Sequence, residues 1–215
     1  MNQKGQMRLL FIRFKTDLWN LIEGIRVLFL FWKDLTFFRI DIMLLMKYIR
    51  KSPYRISKEH LHEYTYGETP LTTMAKIATE CMVTANDRFF DLGCGRGRAC
   101  FWMHHFIKCK VVGIDYIPKF IAYANQVKEK YHLEGIDFIE ESIENSDLSQ
   151  ATIVYFFNLF ASASLENTLI EKLPKNAKVI TVSSPLSDLF EIEKSFTLQF
   201  PWGNAVGYLQ SFRKK

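Results

Sequence analysis

The chain has 215 residues, which is enough for one domain with a hydrophobic core and too few for two ordinary domains. Its 48% hydrophobic and 24% charged residues are typical of a folded globular protein and argue against disorder. The net charge of +5 comes from residues 1–58, which hold 12 Lys and Arg against 4 Asp and Glu. Residues 59–215 hold 16 Lys and Arg against 19 Asp and Glu, so a broad nucleic-acid-binding face is not expected there.

Residues 1–58 are predicted to form a basic, aromatic-rich helical arm. Between residues 18 and 49 the uncharged stretches reach only six residues, whereas a membrane-spanning helix needs about 20. A signal peptide is not expected either, because no uninterrupted apolar stretch leads to a cleavage site. Two interpretations remain, a lid packed on the following domain or amphipathic helices lying in a membrane surface. We expect a cytoplasmic protein, with peripheral contact at the inner face of a membrane in the second case.

From residue 59 onward, short apolar runs alternate with helical segments, which predicts an α/β domain with a mostly parallel sheet. Thr69 is expected to cap a helix that starts at Pro70 and runs to about Met82. The next predicted helices are 97–107, 118–131 and 165–173, and the predicted strands are 88–92, 110–115, 136–140, 152–157 and 177–183. Extended runs at 195–200 and 205–212, joined by a turn at 201–204, predict a closing antiparallel hairpin. The result is a Rossmann-like sheet of seven strands, without the further crossover helices of a dinucleotide fold.

A glycine-rich loop, DLGCGRG at residues 91–97, follows the first predicted strand. Nucleotides bind at this position in α/β sheets, between a strand and the start of a helix. Gly93, Gly95 and Gly97 leave the backbone free of side chains where a ligand passes, and Asp91 can attract an ammonium group. The third glycine comes one residue earlier than in dinucleotide fingerprints and Arg98 takes the sixth position, which favours S-adenosylmethionine over NAD. The alternative is a glycine-rich turn made only for tight packing.

Acidic residues follow the second and third predicted strands. Asp115 ends the second strand, 18 residues after Gly97, where a carboxylate can accept hydrogen bonds from both ribose hydroxyls. Its alternative role is to cap the helix that begins at Pro118. After the third strand, Glu141 or Ser142 could contact the adenine amino group, although a solvated loop explains them equally well.

Four segments occur in one order: YGET at residues 66–69, the glycine loop, TIVYFFN at 152–158 and VSSP at 182–185. Over residues 64–212 the chain resembles class I methyltransferases that use S-adenosylmethionine. It looks most like the non-SET histone lysine methyltransferases of the telomeric-silencing-disruptor class, and it is similar to small membrane-anchored lysine methyltransferases that act on mitochondrial membrane proteins. The resemblance implies a class I methyltransferase domain at residues 59–215, preceded by the arm at 1–58.

The resemblance also implies site residues. Tyr66 and Glu68 would belong to the loop that closes over the methionine end of the cofactor, and Asn158 would lie beside the transferred methyl group. Tyr66 and Asn158 are therefore the expected catalytic residues. Asp115 stands where the histone enzymes have Glu, and no basic tail follows Lys215, so histones are not the expected acceptor.

The expected reaction is methylation of a protein lysine amine. An apolar channel favours the neutral amine, and its candidate lining consists of Phe156, Phe157, Phe160 and Trp202. For each of these residues taken singly, core packing is the favoured alternative. The alternatives are a small or lipid-like acceptor, with the arm as its entrance, and a binding module without activity. Membrane-surface contact through residues 18–49 is expected for an anchored enzyme, whereas sequence-specific nucleic-acid binding and metal binding are not. The four cysteines lack a paired spacing and are expected to be reduced thiols.

Overall fold

The computed structural model describes residues 22–23, 25–27, 29–30, 34–50, 67–157 and 163–213. Residues 22–23, 25–27 and 29–30 are helical. The α-helices that follow are α1 (Leu35–Arg50), α2 (Leu71–Glu80), α3 (Arg98–Trp102), α4 (Pro118–Lys130) and α5 (Ala163–Lys172), and a π-helical turn (Met103–Ile107) extends α3. The strands are β1 (Arg88–Leu92), β2 (Lys110–Asp115), β3 (Ile136–Glu140), β4 (Ile153–Phe157), β5 (Lys178–Val182), β6 (Phe190–Phe200) and β7 (Gly203–Phe212).

The described strands form one seven-stranded sheet in the order β3-β2-β1-β4-β5-β7-β6. Strands β1 to β5 pair in parallel, whereas β7 runs antiparallel to both β5 and β6. This architecture confirms the predicted fold class. The chain passes from β1 outward to β3 and then returns to the other side of β1 with β4. Ligands of open α/β sheets bind at such a switch point, beside the carboxyl ends of the strands.

Helices cover both faces of the sheet, so the central strands are apolar along nearly their whole length. On one face, Phe89 of β1 packs in a core with Met74 of α2 and Phe101 of α3. On the other face, Phe90 of β1 packs with Leu169 of α5. The two successive phenylalanines of β1 therefore point to opposite cores, as the alternation of a strand requires.

Helix α1 of the arm packs against the first of these cores. Phe37, Ile40 and Leu44 are buried and belong to the same cluster as Met74 and Phe101. Their spacing of three and four residues places them on one face of the helix. The other side of α1 exposes large apolar side chains, namely Leu35, Ile42, Leu45 and Met46. No helix in the described part of the chain is long and apolar enough to cross a membrane.

The start of α2 differs from the prediction, which was wrong in making Thr69 the cap. Pro70 occupies the cap position without a side-chain bond, and the Thr69 hydroxyl lies 2.5 Å from the Tyr155 hydroxyl of β4. A residue of the arm provides a hydrogen-bond acceptor for the first turn of α2. The carboxylate of Glu23 accepts the Thr72 N–H at 2.9 Å. The helix also ends at Glu80 rather than near Met82.

Candidate active site

The glycine loop lies between β1 and α3, at the carboxyl edge of the sheet. Its three glycines have φ angles of 85°, 56° and 74°, in the left-handed region that residues with a side chain rarely adopt. The N–H groups of Gly93 and Cys94 both donate to the carbonyl of Ile114, at 2.8 and 3.0 Å. The loop is therefore fastened to the end of the neighbouring strand β2.

The surroundings of these glycines test whether the loop fits a cofactor. A Cβ atom on Gly97 would overlap the ring of Phe138, so this glycine is required for packing. A Cβ atom on Gly93 would meet nothing within 4 Å, and the residue is exposed. The loop thus packs closely on its inner side and faces open space at Gly93, which leaves room for a ligand against the backbone.

The carboxylate of Asp115 lies against the glycine loop. It accepts the N–H of Gly95 and the N–H of Ile117, both at 2.9 Å. Ile117 is the cap residue of α4, so through this N–H Asp115 also holds the start of the helix, as its alternative role expected. Burial raises the pKa of Asp115, while the two backbone hydrogen bonds oppose that rise. Each carboxylate oxygen keeps a further lone pair for a ligand hydroxyl.

Asp91 is buried in β1 between Gly113 of β2 and Tyr155 of β4. The thiol of Cys100 donates a hydrogen bond to its carboxylate at 3.3 Å. Burial raises the pKa of Asp91 to about 7, and the nearby Asp115 adds to the rise. A ligand cation beside Asp91 would favour its ionised form.

Glu68 contacts the glycine loop directly. Its carboxylate accepts hydrogen bonds from Nε of Arg96, at 2.9 Å, and from Nη2 of the same guanidinium. Glu141 and Ser142 follow β3 and are half-buried. The Glu141 N–H donates to the Asp115 carbonyl at 3.2 Å, which brings these two residues to the end of β2.

The structure thus collects the expected cofactor residues at one edge of the sheet: Glu68, Asp91, Gly93, Gly95, Gly97, Asp115, Glu141 and Ser142. Tyr66 and Asn158 lie outside the described residues. The sequence analysis missed the contacts of Arg96 and Arg98 and the thiol that faces Asp91. The sequence carried one local signal for these contacts, which is that both arginines adjoin loop glycines. The partners of the arginines lie far away in the chain.

An aromatic edge, defined as Phe157, Phe200 and Trp202, adjoins the carboxyl end of β4. The rings of Phe200 and Trp202 stack at 5.0 Å, and Phe157 meets Phe200 edge-on at 5.4 Å. Trp202 is 58% exposed. Phe156, another expected channel residue, is buried in the core instead, and Phe160 lies outside the described residues.

A surface cavity of about 210 Å³ lies elsewhere, among residues such as Asp87, Thr152 and Lys178 that precede or begin β1, β4 and β5. It is at the amino edge of the sheet, opposite the glycine loop, so it plays no part in this site. Within the described ranges, no three His, Cys, Asp or Glu side chains are grouped to hold a metal ion. The four cysteine thiols are free and buried.

This strand order, with a glycine loop after β1 and an acid at the end of β2, defines a class I methyltransferase fold. A model of the methyltransferase domain family matches residues 83–199, more than half of the chain. The chain belongs to this family, and its methyl donor is S-adenosylmethionine.

Solved structures of other proteins share the fold at low sequence identity. An RNA methyltransferase from Salinibacter ruber, in complex with S-adenosyl-L-homocysteine, is 19% identical with a TM-score of 0.58, covering 69% of this chain and 95% of its own. A mutant of MtNAS with S-adenosylmethionine is 12% identical with a TM-score of 0.57, covering 77% and 75%. A geranyl diphosphate methyltransferase with sinefungin is 11% identical with a TM-score of 0.55, covering 65% and 77%. Among curated proteins, no sequence matches this chain.

Proposed function

We propose that this methyltransferase transfers the methyl group of S-adenosylmethionine to a lysine side chain of a protein acceptor. The observation that carries the proposal is the aromatic edge at the end of β4, where Trp202 is exposed beside Phe157 and Phe200. An apolar wall that excludes water would disfavour the ammonium form of an entering amine by desolvation and so favour the neutral nucleophile. The four segments that resemble lysine methyltransferases support the same acceptor.

The cofactor contacts in this proposal follow from the positions of the acidic groups. Asp115 would accept the ribose hydroxyls, Asp91 would face the α-ammonium group, and Glu141 or Ser142 would contact the adenine. Glu68, which accepts a hydrogen bond from Arg96, would close the site over the methionine end of the cofactor. The open space at Gly93 supports passage of the ligand along the loop.

The protein needs mainly to position the two reactants. When bound, S-adenosylmethionine supplies a methyl group that its sulfonium already activates for in-line displacement. The aromatic edge would exclude water around the amine, and Tyr66 and Asn158 would orient its lone pair toward the methyl carbon. Correct orientation alone accounts for a large share of the barrier reduction in such transfers.

A small or lipid-like acceptor is the second candidate. The geranyl diphosphate methyltransferase that shares the fold is named for a small molecule with an apolar chain, and the exposed apolar side of α1 could serve as an entrance for such an acceptor. A nucleic-acid acceptor is less supported, because residues 59–215 hold fewer basic than acidic residues.

The arm suggests where the enzyme meets its methyl acceptor. We propose that the exposed side of α1 lies in a membrane surface, with Leu35, Leu45 and Met46 entering the headgroup region. Exposed basic residues of the arm, such as Arg26 and Arg39, would pair with anionic lipids.

The test is transfer of a labelled methyl group to separated soluble-protein, membrane-protein and lipid fractions. We expect label in the membrane-protein fraction, and mass spectrometry should place it on lysine. Trp202→Ala should reduce transfer about tenfold or more, because the acceptor loses its wall, and should leave S-adenosylhomocysteine affinity unchanged. Val206→Ala, an exposed apolar change in the same hairpin, is the matched control and should be neutral. Label confined to lipid would favour the second candidate and contradict lysine transfer.

A further inference from the structure

Two arginines beside the loop glycines contact the arm. Arg96 donates from Nη1 to the carbonyl of Leu44 in α1 at 2.7 Å, while its other donors hold Glu68. Arg98 donates from Nε and Nη2 to the two oxygens of Asp41 in α1, at 2.6 and 3.0 Å. Such paired contacts fix orientation as well as distance.

These contacts have different degrees of burial. The Arg96 side chain is 3% exposed, so its guanidinium depends on the Leu44 carbonyl and on Glu68 in place of water. The side chains of Arg98 and Asp41 are 22% and 18% exposed, which shields their ion pair only in part. Losing the arm would therefore remove the Leu44 acceptor and change the surroundings of a guanidinium inside the cofactor loop.

Two more polar contacts attach the arm to the domain. Asp34, at the start of α1, lies 3.0 Å from Nδ1 of His105 in the π-helical turn after α3. Glu23 accepts the N–H and the hydroxyl of Thr72 at the start of α2. Asp34 and Asp41 are two helical turns apart, so the same side of α1 faces α3 along this length. The arm and the loop helix are therefore joined at several points.

The glycine loop is held from two sides. Its three glycines have left-handed φ angles, and contacts with both sides limit their conformational freedom. Asp115 holds the loop from the sheet side through the Gly95 N–H. Arg96 and Arg98 hold it from the arm side, and neither contact exists when α1 is detached.

We propose that α1 is a latch on the cofactor loop, so that docking of the arm through Asp41 and Leu44 sets the affinity for S-adenosylmethionine. Asp41 is thus a positioning residue, which acts on the cofactor only through Arg98 and the loop. The inference rests on the proposed role of the loop in holding the cofactor. Coupling of this kind is reciprocal, so bound cofactor must also stabilise the docked arm.

The test compares Asp41→Asn with the wild type by calorimetric titration of S-adenosylhomocysteine. We expect the dissociation constant to rise about tenfold, within the usual range for coupled sites. The charge exchange Asp41→Arg with Arg98→Asp should recover most of the affinity. Asp137→Asn is the matched control, because it breaks the 2.6 Å ion pair with Lys128 between α4 and β3.

Limited proteolysis supplies a second measurement. If Asp41 had only a structural role, the cofactor would protect the wild type and the variant equally. The side chain of Arg39 in α1 is exposed, so trypsin should cut there when α1 detaches and unfolds. Saturating S-adenosylhomocysteine should slow cleavage there about tenfold in the wild type and much less in Asp41→Asn.

The outcomes separate this inference from the proposed function. If the wild type does not bind S-adenosylhomocysteine, the proposed cofactor role of the loop fails, and the latch fails with it. If the wild type binds and Asp41→Asn binds equally well, only the latch is overturned. Equal weakening by Asp137→Asn, or no recovery in the charge exchange, would overturn it as well.

Discussion

Asp91 has a buried carboxyl group that titrates near neutral pH in the cofactor-free protein. Its pKa is raised to about 7 by burial, with Asp115 adding to the rise and the Cys100 thiol opposing it. Binding an ammonium group beside Asp91 requires the carboxylate, so the affinity for S-adenosylhomocysteine should rise by up to about tenfold per pH unit below about pH 6 and level off above about pH 7. Titration in buffers of different ionisation enthalpy should detect proton release. Asp91→Asn should bind weakly, and its affinity should not depend on pH in this range.

The same carboxyl group affects stability in the opposite direction. Its pKa is raised in the folded state above the ordinary value of 3.8, so the folded protein holds the proton more tightly. This contribution is fully present below about pH 3.8 and is lost as the pH rises through about 7. We expect Asp91→Asn to flatten the decline in melting temperature across this window. An unchanged pH profile would contradict the assignment of this titration to Asp91.

Two glycines of the loop should respond differently to the same substitution. Gly97→Ala should lower the free energy of unfolding by about 2 kcal/mol or more, because its Cβ overlaps Phe138 and its φ is 74°. Gly93→Ala meets no neighbour and should lower stability less, through backbone strain alone. Its Cβ would instead enter the open space proposed for the cofactor, so it should weaken binding. Urea unfolding and calorimetric titration of both variants distinguish packing from ligand contact.

Asp115 combines a structural and a proposed ligand role. Asp115→Ala would leave the N–H groups of Gly95 and Ile117 without their acceptor, which should lower the free energy of unfolding by about 2 kcal/mol. Asp115→Asn keeps one carbonyl oxygen and should lose less stability, yet it should weaken S-adenosylhomocysteine binding. Full affinity in Asp115→Asn would contradict the ribose contact.

At the scale of elements, the two sides of α1 provide a matched comparison. Ile40 is fully buried in the core, whereas Ile42, two residues later, is 42% exposed. Ile40→Ala should lower the free energy of unfolding by about 3 kcal/mol, because it leaves a cavity. Ile42→Ala should change it by about 0.5 kcal/mol or less. Similar losses in both variants would show that α1 does not pack as described.

The central strands could be predicted from sequence because their signal is local. Strands β1, β2 and β3 begin and end at the predicted residues, since short apolar runs between turn signals define a buried strand. Strand β6 begins at Phe190, five residues before the predicted start. The added residues alternate Phe190-Glu191-Ile192-Glu193, a strand signal that the prediction missed. Phe190 is buried, and the residues from Glu191 to Lys194 are exposed at the edge of the sheet.

Contacts between distant residues could not be predicted. Thr69 has the sequence of a helix cap, yet its hydroxyl meets Tyr155, 86 residues later. Arg98 was recognised only as a departure from the dinucleotide pattern, while its partner Asp41 lies 57 residues earlier. The glycine loop and Asp115 could be located because position after a strand fixes them, whereas the arm contacts depend on the packing of the whole chain.

At the scale of the whole molecule, the arm both packs on the domain and exposes apolar side chains. If the exposed side lies in a membrane surface, Leu35→Glu combined with Leu45→Glu should reduce co-sedimentation with anionic vesicles. Ile192→Glu, at an exposed apolar position of β6, is the control and should have no effect. Absence of vesicle binding by the wild type would leave packing as the role of the arm.

The central claim is that the edge formed by the glycine loop, Asp91 and Asp115 holds S-adenosylmethionine. The most direct measurement is calorimetric titration of the purified chain with S-adenosylmethionine and S-adenosylhomocysteine, with NADH as the control. We predict binding of both adenosyl ligands, weakened in Asp115→Asn, and no binding of NADH. Absence of binding by either adenosyl ligand, or equal affinity in Asp115→Asn, would contradict this assignment of the site.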